Sequence, residues 1–390
     1  MSRRFGLLAA GLFVAAPLAG QTSGPAFDGA RLDSVVAYLR TQVDSAFPGA
    51  VVAVGSHSRI ALLTAVGHYG VDDPRPMTTE TVFDLASLTK VIGLTTACML
   101  LVDQHRLDLE APVQRYLPEF TGKDKNKVTI RHLLTHSSGM PAWRPLFRET
   151  ETREAALALV DSTPLDTIPG ARYVYSDLGA IVLTQVVERI TKTRIDQYLD
   201  TAVFKPLGMT TTRYLPPADW IDRIAPTEMD TAFRHRMIRG EVHDENTGRL
   251  EGVSGHAGLF STAGDLARFA QWLLGGWHGM DDGYDRVCGR LCPNHTRFNL
   301  RYFTTRQDLP PGSSRALGWD TPSENSSAGS KVSGHAFGHT GFTGTSIWLD
   351  PDRDLFIILL TNRVHPTRAN TKILRVRPHV ADLVVDALTR

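Results

Sequence analysis

The chain has 390 residues, 42% of them hydrophobic and 21% charged, with a formal net charge of +1. That length is enough to bury a large core, and the composition is that of an ordinary globular protein. The near-neutral balance excludes the clustered basic charge that nucleic-acid binding or attachment to a membrane surface requires.

The first segment, "MSRRFGLLAAGLFVAAPLAG", reads as a secretory signal peptide over residues 1–20. Arg3 and Arg4 form a basic start, an apolar run follows to Ala16, and small residues lead to a cleavage point before Gln21. The run falls short of the ~20 residues of a membrane span. The expectation is an exported protein, periplasmic or extracellular, with no stable membrane insertion after cleavage.

Residues 29–45 carry an apolar stripe of Leu32, Val35, Val36, Leu39 and Val43, which predicts an amphipathic helix. "GAVVAVGSHSRIALLTAVGHYG" predicts two strands about a turn at Ser56 to Ser58. Residues 87–105 read as a buried helix containing Cys98. A long middle section alternates helical patterns with breakers, and residues 276–335 are too rich in Gly, Pro, Ser and Asn to assign. "GTSIWLDPDRDLFIILLTNR" returns to two strands joined by a Pro-Asp turn, and a helix over about 371–389 closes the chain. Strands at both ends predict one antiparallel sheet built from both termini and covered by the terminal helices. The domain that follows spans 28–390, with an α/β part at about 28–80 and 336–390 and an inserted helical part at about 81–335.

Three short segments carry chemistry. In "FDLASLTKVIG", Ser87 and Lys90 lie three residues apart, on one face of a helix, so the amine can reach the hydroxyl. A neutral lysine can take the serine proton, and a helix start leaves the Ser87 N–H free for a developing oxyanion. In "PGARYVYSDLGAIVL", Tyr175 and Asp177 precede an apolar helix; a phenolate in a cationic site can act as a base, while Ser176 or Asp177 can also simply cap the helix. In "GHTGFTGTSIWLD", His339, Thr340 and Gly341 head a strand whose edge can bind a substrate backbone, and Phe342 can donate a second oxyanion N–H. Tyr198-Leu199-Asp200 repeats the Tyr-x-Asp pattern inside a helix and reads as packing.

These three boxes, 88 and 164 residues apart, resemble the Ser-x-x-Lys, Tyr-x-Asn and Lys-Thr-Gly boxes of the serine β-lactamase and penicillin-binding-protein superfamily. The spacing is similar to that of class C β-lactamases and their esterase and peptidase relatives. "LLTHSSGMP", "VFKPLGM" and "GHAGLFSTAGDLARF" are similar to family segments too, and the resemblance covers about residues 28–388. It implies a β-lactamase/transpeptidase-like fold, α/β plus all-α, with the site between the two parts. It also implies an acyl-enzyme on Ser87, proton transfers shared by Lys90 and Tyr175, and an oxyanion hole from the N–H groups of Ser87 and Phe342, with no metal or cofactor. "RGEVHDENTGRLEGVSGHAG" resembles a subset that includes cell-wall enzymes of the D-Ala-D-Ala carboxypeptidase and N-acetylmuramoyl-L-alanine amidase types, and makes His243, Asp244, Asn246 and His256 candidates for substrate contact.

Two positions depart from the family pattern. Asp177 stands where the family has Asn; a carboxylate there cannot donate to a substrate carbonyl and would hold the Lys90 proton, shifting the base role toward Tyr175. His339 replaces the third-box Lys and carries charge only near or below pH ~6.5, so Arg363 or Arg368 is a candidate for the missing cation. The expected substrates are peptidoglycan-derived amides or peptides, with β-lactams as further ligands. A broad esterase and an inactive cell-wall-binding or penicillin-sensing module are the two other readings. Cys288 and Cys292 in "CGRLC" suit a small disulfide loop; a metal site there would lack ligands beyond His295. "DPDRD" lacks the Gly and distal Glu of a calcium loop, and no Gly-x-Ser-x-Gly elbow, His-Glu-x-x-His or P-loop occurs.

Overall fold

The computed structural model describes residues 24–279, 287 and 296–389. The proposed leader and the Cys288/Cys292 pair lie outside the described residues. A six-stranded antiparallel sheet runs in the order Asp73–Pro76, Ile60–Gly70, Gly49–Gly55, Leu355–Thr361, Ser346–Asp350, Phe337–Thr340. The N-terminal hairpin and the C-terminal strands meet where Gly49–Gly55 pairs with Leu355–Thr361, Val52 opposite Leu359.

The two central strands are buried along their whole length, so their side chains serve two cores by turns. Ala50, Val52, Val54, Leu355, Ile357 and Leu359 face one layer. There they meet Leu32, Val35 and Leu39 of helix Gly29–Gln42 and Val376, Val380 and Val384 of helix Ile373–Asp386. Val51, Ala53, Phe356, Ile358 and Leu360 face the larger helical core. Each fully buried Val or Leu contributes about 1.5–3 kcal/mol of transfer free energy, so the register that sorts them is strongly fixed.

The chain between the two groups of strands carries helices joined by long irregular segments. Helix Asp177–Thr191 starts because the Ser176 hydroxyl accepts the Gly179 N–H at 3.0 Å, and it ends at Lys192 in the left-handed region. Its Leu178, Ile181, Val182 and Val186 are buried. The Tyr198 segment is part of helix Ile195–Leu199, and its ring packs against the core. The helix expected over 87–105 is reshaped at its start: Lys90–Thr95 is π-helical, and regular α-helix runs only over Thr96–Asp103. The Thr96 hydroxyl donates to the Val91 carbonyl five residues back, consistent with the wider turn. Cys98 is fully buried there, and burial pushes its thiol up. Within the unassigned stretch, Thr296–Thr304 is helical, and most of the chain from there to Phe337 is irregular.

Candidate active site

The three boxes converge on one cleft of about 500 Å³ lined by Ser87, Tyr175, Arg315, His339, Thr340, Gly341, Phe342 and residues of the C-terminal segment. Ser87 sits on a tight turn between the short strand Phe83–Asp84 and the π-helical turn. Ala86, just before it, has φ +46°, a left-handed conformation that costs a side-chain-bearing residue energy. The buried Asp84 carboxylate holds that turn, accepting the Ala86 N–H at 2.7 Å and the His243 N–H at 2.6 Å. The loop after the last box clasps the same turn from the sheet side. Thr343 Oγ1 donates to Asp84 O at 2.7 Å and Thr345 Oγ1 donates to Leu85 O at 3.0 Å. Gly341 is required by this approach, since a Cβ there would lie 2.3 Å from Leu85 O.

Lys90 is 3% exposed and donates to Ser87 Oγ at 3.1 Å and to the His256 carbonyl at 3.0 Å. Its Nζ lies 2.6 Å from Asp177 Oδ1 and 4.9 Å from the centre of the Tyr175 ring. Burial pulls the ammonium down, but the Asp177 carboxylate and then Tyr175 more than offset it, and Lys90 lies above the usual lysine range. The group beside Ser87 is therefore a cation at neutral pH, as the carboxylate in the second box implies. Tyr175 packs its ring against buried His136, 4.5 Å between centres, and its phenol oxygen is buried with no hydrogen-bond partner among the described residues. His136 Nδ1 accepts the Ser176 N–H at 3.1 Å, and burial with the Arg315 and Lys90 charges keeps the imidazole neutral.

His339 is also neutral. Burial first, then Arg315 and Lys90, hold its imidazole well below the usual range. Its Nδ1 pairs with Thr340 O at 2.9 Å and so carries the proton, leaving Nε2 as an acceptor with no partner among the described residues. It supplies no charge to replace the family lysine. The N–H groups of Ser87 and Phe342 donate to no other group among the described residues, so both are open to an oxyanion.

The expected substitutes for the missing cation are committed elsewhere. Arg363 donates from Nε to Phe342 O at 2.8 Å and from Nη1 to Arg368 O and Asn370 O. Arg368 pairs with Glu228 and Glu245, each at 2.7 Å. Two cleft cations, Arg315 and Arg377, keep a buried nitrogen without a hydrogen-bond partner among the described residues, Nη1 and Nε respectively; the sequence reading missed Arg315 because it lies in the unassigned stretch. Arg315 stacks 5.3 Å from the Tyr175 ring, donates to Tyr173 Oη at 3.0 Å and has only a long 3.8 Å ion pair, from Nε to Asp320, which leaves Nη1 free to meet a ligand.

Asp244 and His256 do not line the cleft. His256 is 1% exposed; its Nε2 meets Asp244 Oδ1 at 2.9 Å and its Nδ1 meets Ser254 Oγ at 2.8 Å. This pair fixes the backbone carbonyl that Lys90 donates to, so it acts behind the site and not on substrate. Asn246 is likewise buried, bonded to Phe147 N and Arg144 O. His243 stacks on Phe342, 5.7 Å between centres, while Nε2 meets Glu228 at 2.7 Å.

The beta-lactamase family model matches residues 33–381. A curated Salmonella heidelberg protein named "Putative D-alanyl-D-alanine carboxypeptidase" is 32% identical over 384 residues, covering 89% of this chain and 86% of that protein. Among solved structures, a penicillin-binding protein homologue from Caulobacter crescentus superposes with TM-score 0.73 at 19% identity, over 93% of this chain and 99% of its own. EstCE1, described as a hydrolase with promiscuous acyltransferase activity, gives TM-score 0.70 at 22% identity, over 90% and 99%. These structural likenesses carry the fold, and the family match and the Salmonella relative carry the membership. The sheet built from both termini and the cleft on its edge are thus those of a serine hydrolase, and the chain belongs to the beta-lactamase family.

Proposed function

We propose that this protein is an exported hydrolase of peptidoglycan-derived amide or peptide bonds, working through an acyl-enzyme on Ser87. The observation that carries it is the Ser87 hydroxyl held 3.1 Å from a fixed ammonium, facing a cleft where Arg315 Nη1 has no hydrogen-bond partner among the described residues. Lys90 stays protonated and fixes Ser87 Oγ, with its charge 4.9 Å from the centre of the Tyr175 ring; the base in this scheme is Tyr175 in its phenolate form. Tyr175 takes the Ser87 proton as Oγ attacks the carbonyl carbon, and the N–H groups of Ser87 and Phe342 receive the oxyanion. The C–N bond breaks, the amine leaves with a proton from Tyr175, and water hydrolyses the ester to return Ser87. Arg315 binds a free carboxylate of the substrate, the role His339 cannot fill while neutral. The carboxypeptidase name of the Salmonella relatives supports a cell-wall substrate and export.

The wall of Phe342, Ile373 and Leu374 favours a second reading, a broad esterase that accepts apolar acyl groups. The discriminating experiment incubates the mature protein with stem-pentapeptide muropeptides and with neutral aryl esters, following products by mass. Release of terminal D-alanine or of the whole peptide from muramic acid, with weak ester turnover, supports the first reading. Fast ester turnover with intact muropeptides supports the second.

A further inference from the structure

The cleft contains two buried arginines that pair with no carboxylate. Arg363 and Arg377 are each 7% exposed, and neither forms an ion pair among the described residues. A buried guanidinium without a counter-charge is costly to keep. Each places at least one donor on the loop after the third box. Arg377 Nη2 donates to Gly341 O at 2.7 Å and to Thr345 O at 2.8 Å, and Arg363 Nε donates to Phe342 O at 2.8 Å.

The Gly341 carbonyl and the Phe342 N–H belong to one peptide unit, planar and trans, with C=O and N–H pointing in opposite directions. A guanidinium fixed on the oxygen therefore sets the direction of the N–H. The same cation polarises the amide and makes its N–H a stronger donor. Gly341 O also accepts the Gly344 N–H at 3.1 Å, so both of its lone pairs are taken and the plane has little freedom to rotate. We propose that Arg377, supported by Arg363, is a positioning residue that aims and polarises the Phe342 N–H as an oxyanion donor. This rests on the reading of Ser87 as nucleophile.

The test compares wild type, Arg377→Met and Arg377→Lys. Each is labelled with a fluorophosphonate, in which Ser87 Oγ forms the P–O bond, fluoride leaves and the hydroxyl proton goes to the site base. Losing an oxyanion donor outright costs about 10²–10³ in rate, and misdirecting one forfeits part of that, so Arg377→Met is expected to label about tenfold slower or more. Arg377→Lys, which keeps charge and donors, recovers part of the loss. Each protein is then given an aryl ester and its thiono analogue, whose sulfur is a poor acceptor. The proposal expects a lower kcat with little change in KM for the ester, and a smaller oxo-to-thiono rate ratio in both variants. If Arg377→Met does not fold, the ratio in Arg377→Lys decides the matter. Wild-type labelling rates in a folded variant, or equal slowing of both esters, overturn the positioning role alone. Absence of any adduct on wild type sinks the Ser87 reading and this proposal with it.

Discussion

Replacing Asp177 by Asn tests how the proton inventory of the site is set. Asn keeps an oxygen acceptor near Lys90 and removes only the charge. At the observed 2.6 Å separation, the Coulomb term is about 1.6 kcal/mol at the dielectric of water and about 6 kcal/mol at an effective value of 20. The Asp177 side chain is 21% exposed, so the true term lies between these limits. Since about 1.4 kcal/mol moves a titration by one pH unit, the Lys90 ammonium in Asp177→Asn loses its proton at least about one unit lower. The assay is the pH profile of fluorophosphonate labelling from pH 5 to 11. With Lys90 acting as a fixed cation and Tyr175 as base, the alkaline limb of the variant moves down by one unit or more, and its rate at pH 7 does not rise. A tenfold gain at pH 7 would refute the reasoning, because it would mean that Asp177 holds back a lysine that is itself the base.

Tyr175→Phe is expected to slow labelling by about 100-fold or more, the usual worth of a positioned base, with unchanged denaturant stability; a rate within threefold of wild type removes Tyr175 from the mechanism. Arg315→Gln deletes a charge-assisted hydrogen bond worth about 1.5–3 kcal/mol, so KM for carboxylate-bearing substrates rises about 10- to 100-fold while neutral aryl esters are unaffected. Equal effects on both substrates would count against a carboxylate partner. His136 and His339 both titrate below their unfolded value of ~6.5. Below that pH the unfolded chain binds more protons than the native one, so stability is present above ~6.5 and is lost as pH falls toward the folded values, by up to about 1.4 kcal/mol per unit for each histidine. Denaturant midpoints at pH 7.5, 6 and 5 read this slope, and His339→Asn should flatten it; an unchanged slope would show that His339 does not contribute.

The site's first members were legible because their signals are local. Ser87 and Lys90 announce themselves by helical spacing, and Ser176 by capping chemistry that the structure bears out. The sheet was legible because Gly49–Gly55 and Leu355–Thr361 are short apolar runs flanked by turn residues, and strands of that kind at both ends leave few ways to pair. Arg315 was not legible. It sits in an irregular segment with no period to read, and tertiary packing alone brings it to the Tyr175 ring. Arg377 carries a helical signal, but nothing local tells a solvated helix arginine from one buried against Gly341 and Thr345. Asp244 and His256 stood out as polar residues in a family-like motif, yet their side chains pair with each other and with Thr247 and Ser254, behind the His256 carbonyl that Lys90 uses, which spacing cannot reveal. The π-helical turn at Lys90 was hidden for a similar reason, since its apolar residues suit an ordinary helix equally well.

The most direct measurement is the intact mass of the mature protein and of its Ser87→Ala variant after exposure to a fluorophosphonate. The account predicts one phosphonyl adduct on the wild type and none on the variant. A folded wild-type protein that stays unmodified, or a variant that still gains the adduct, would contradict it.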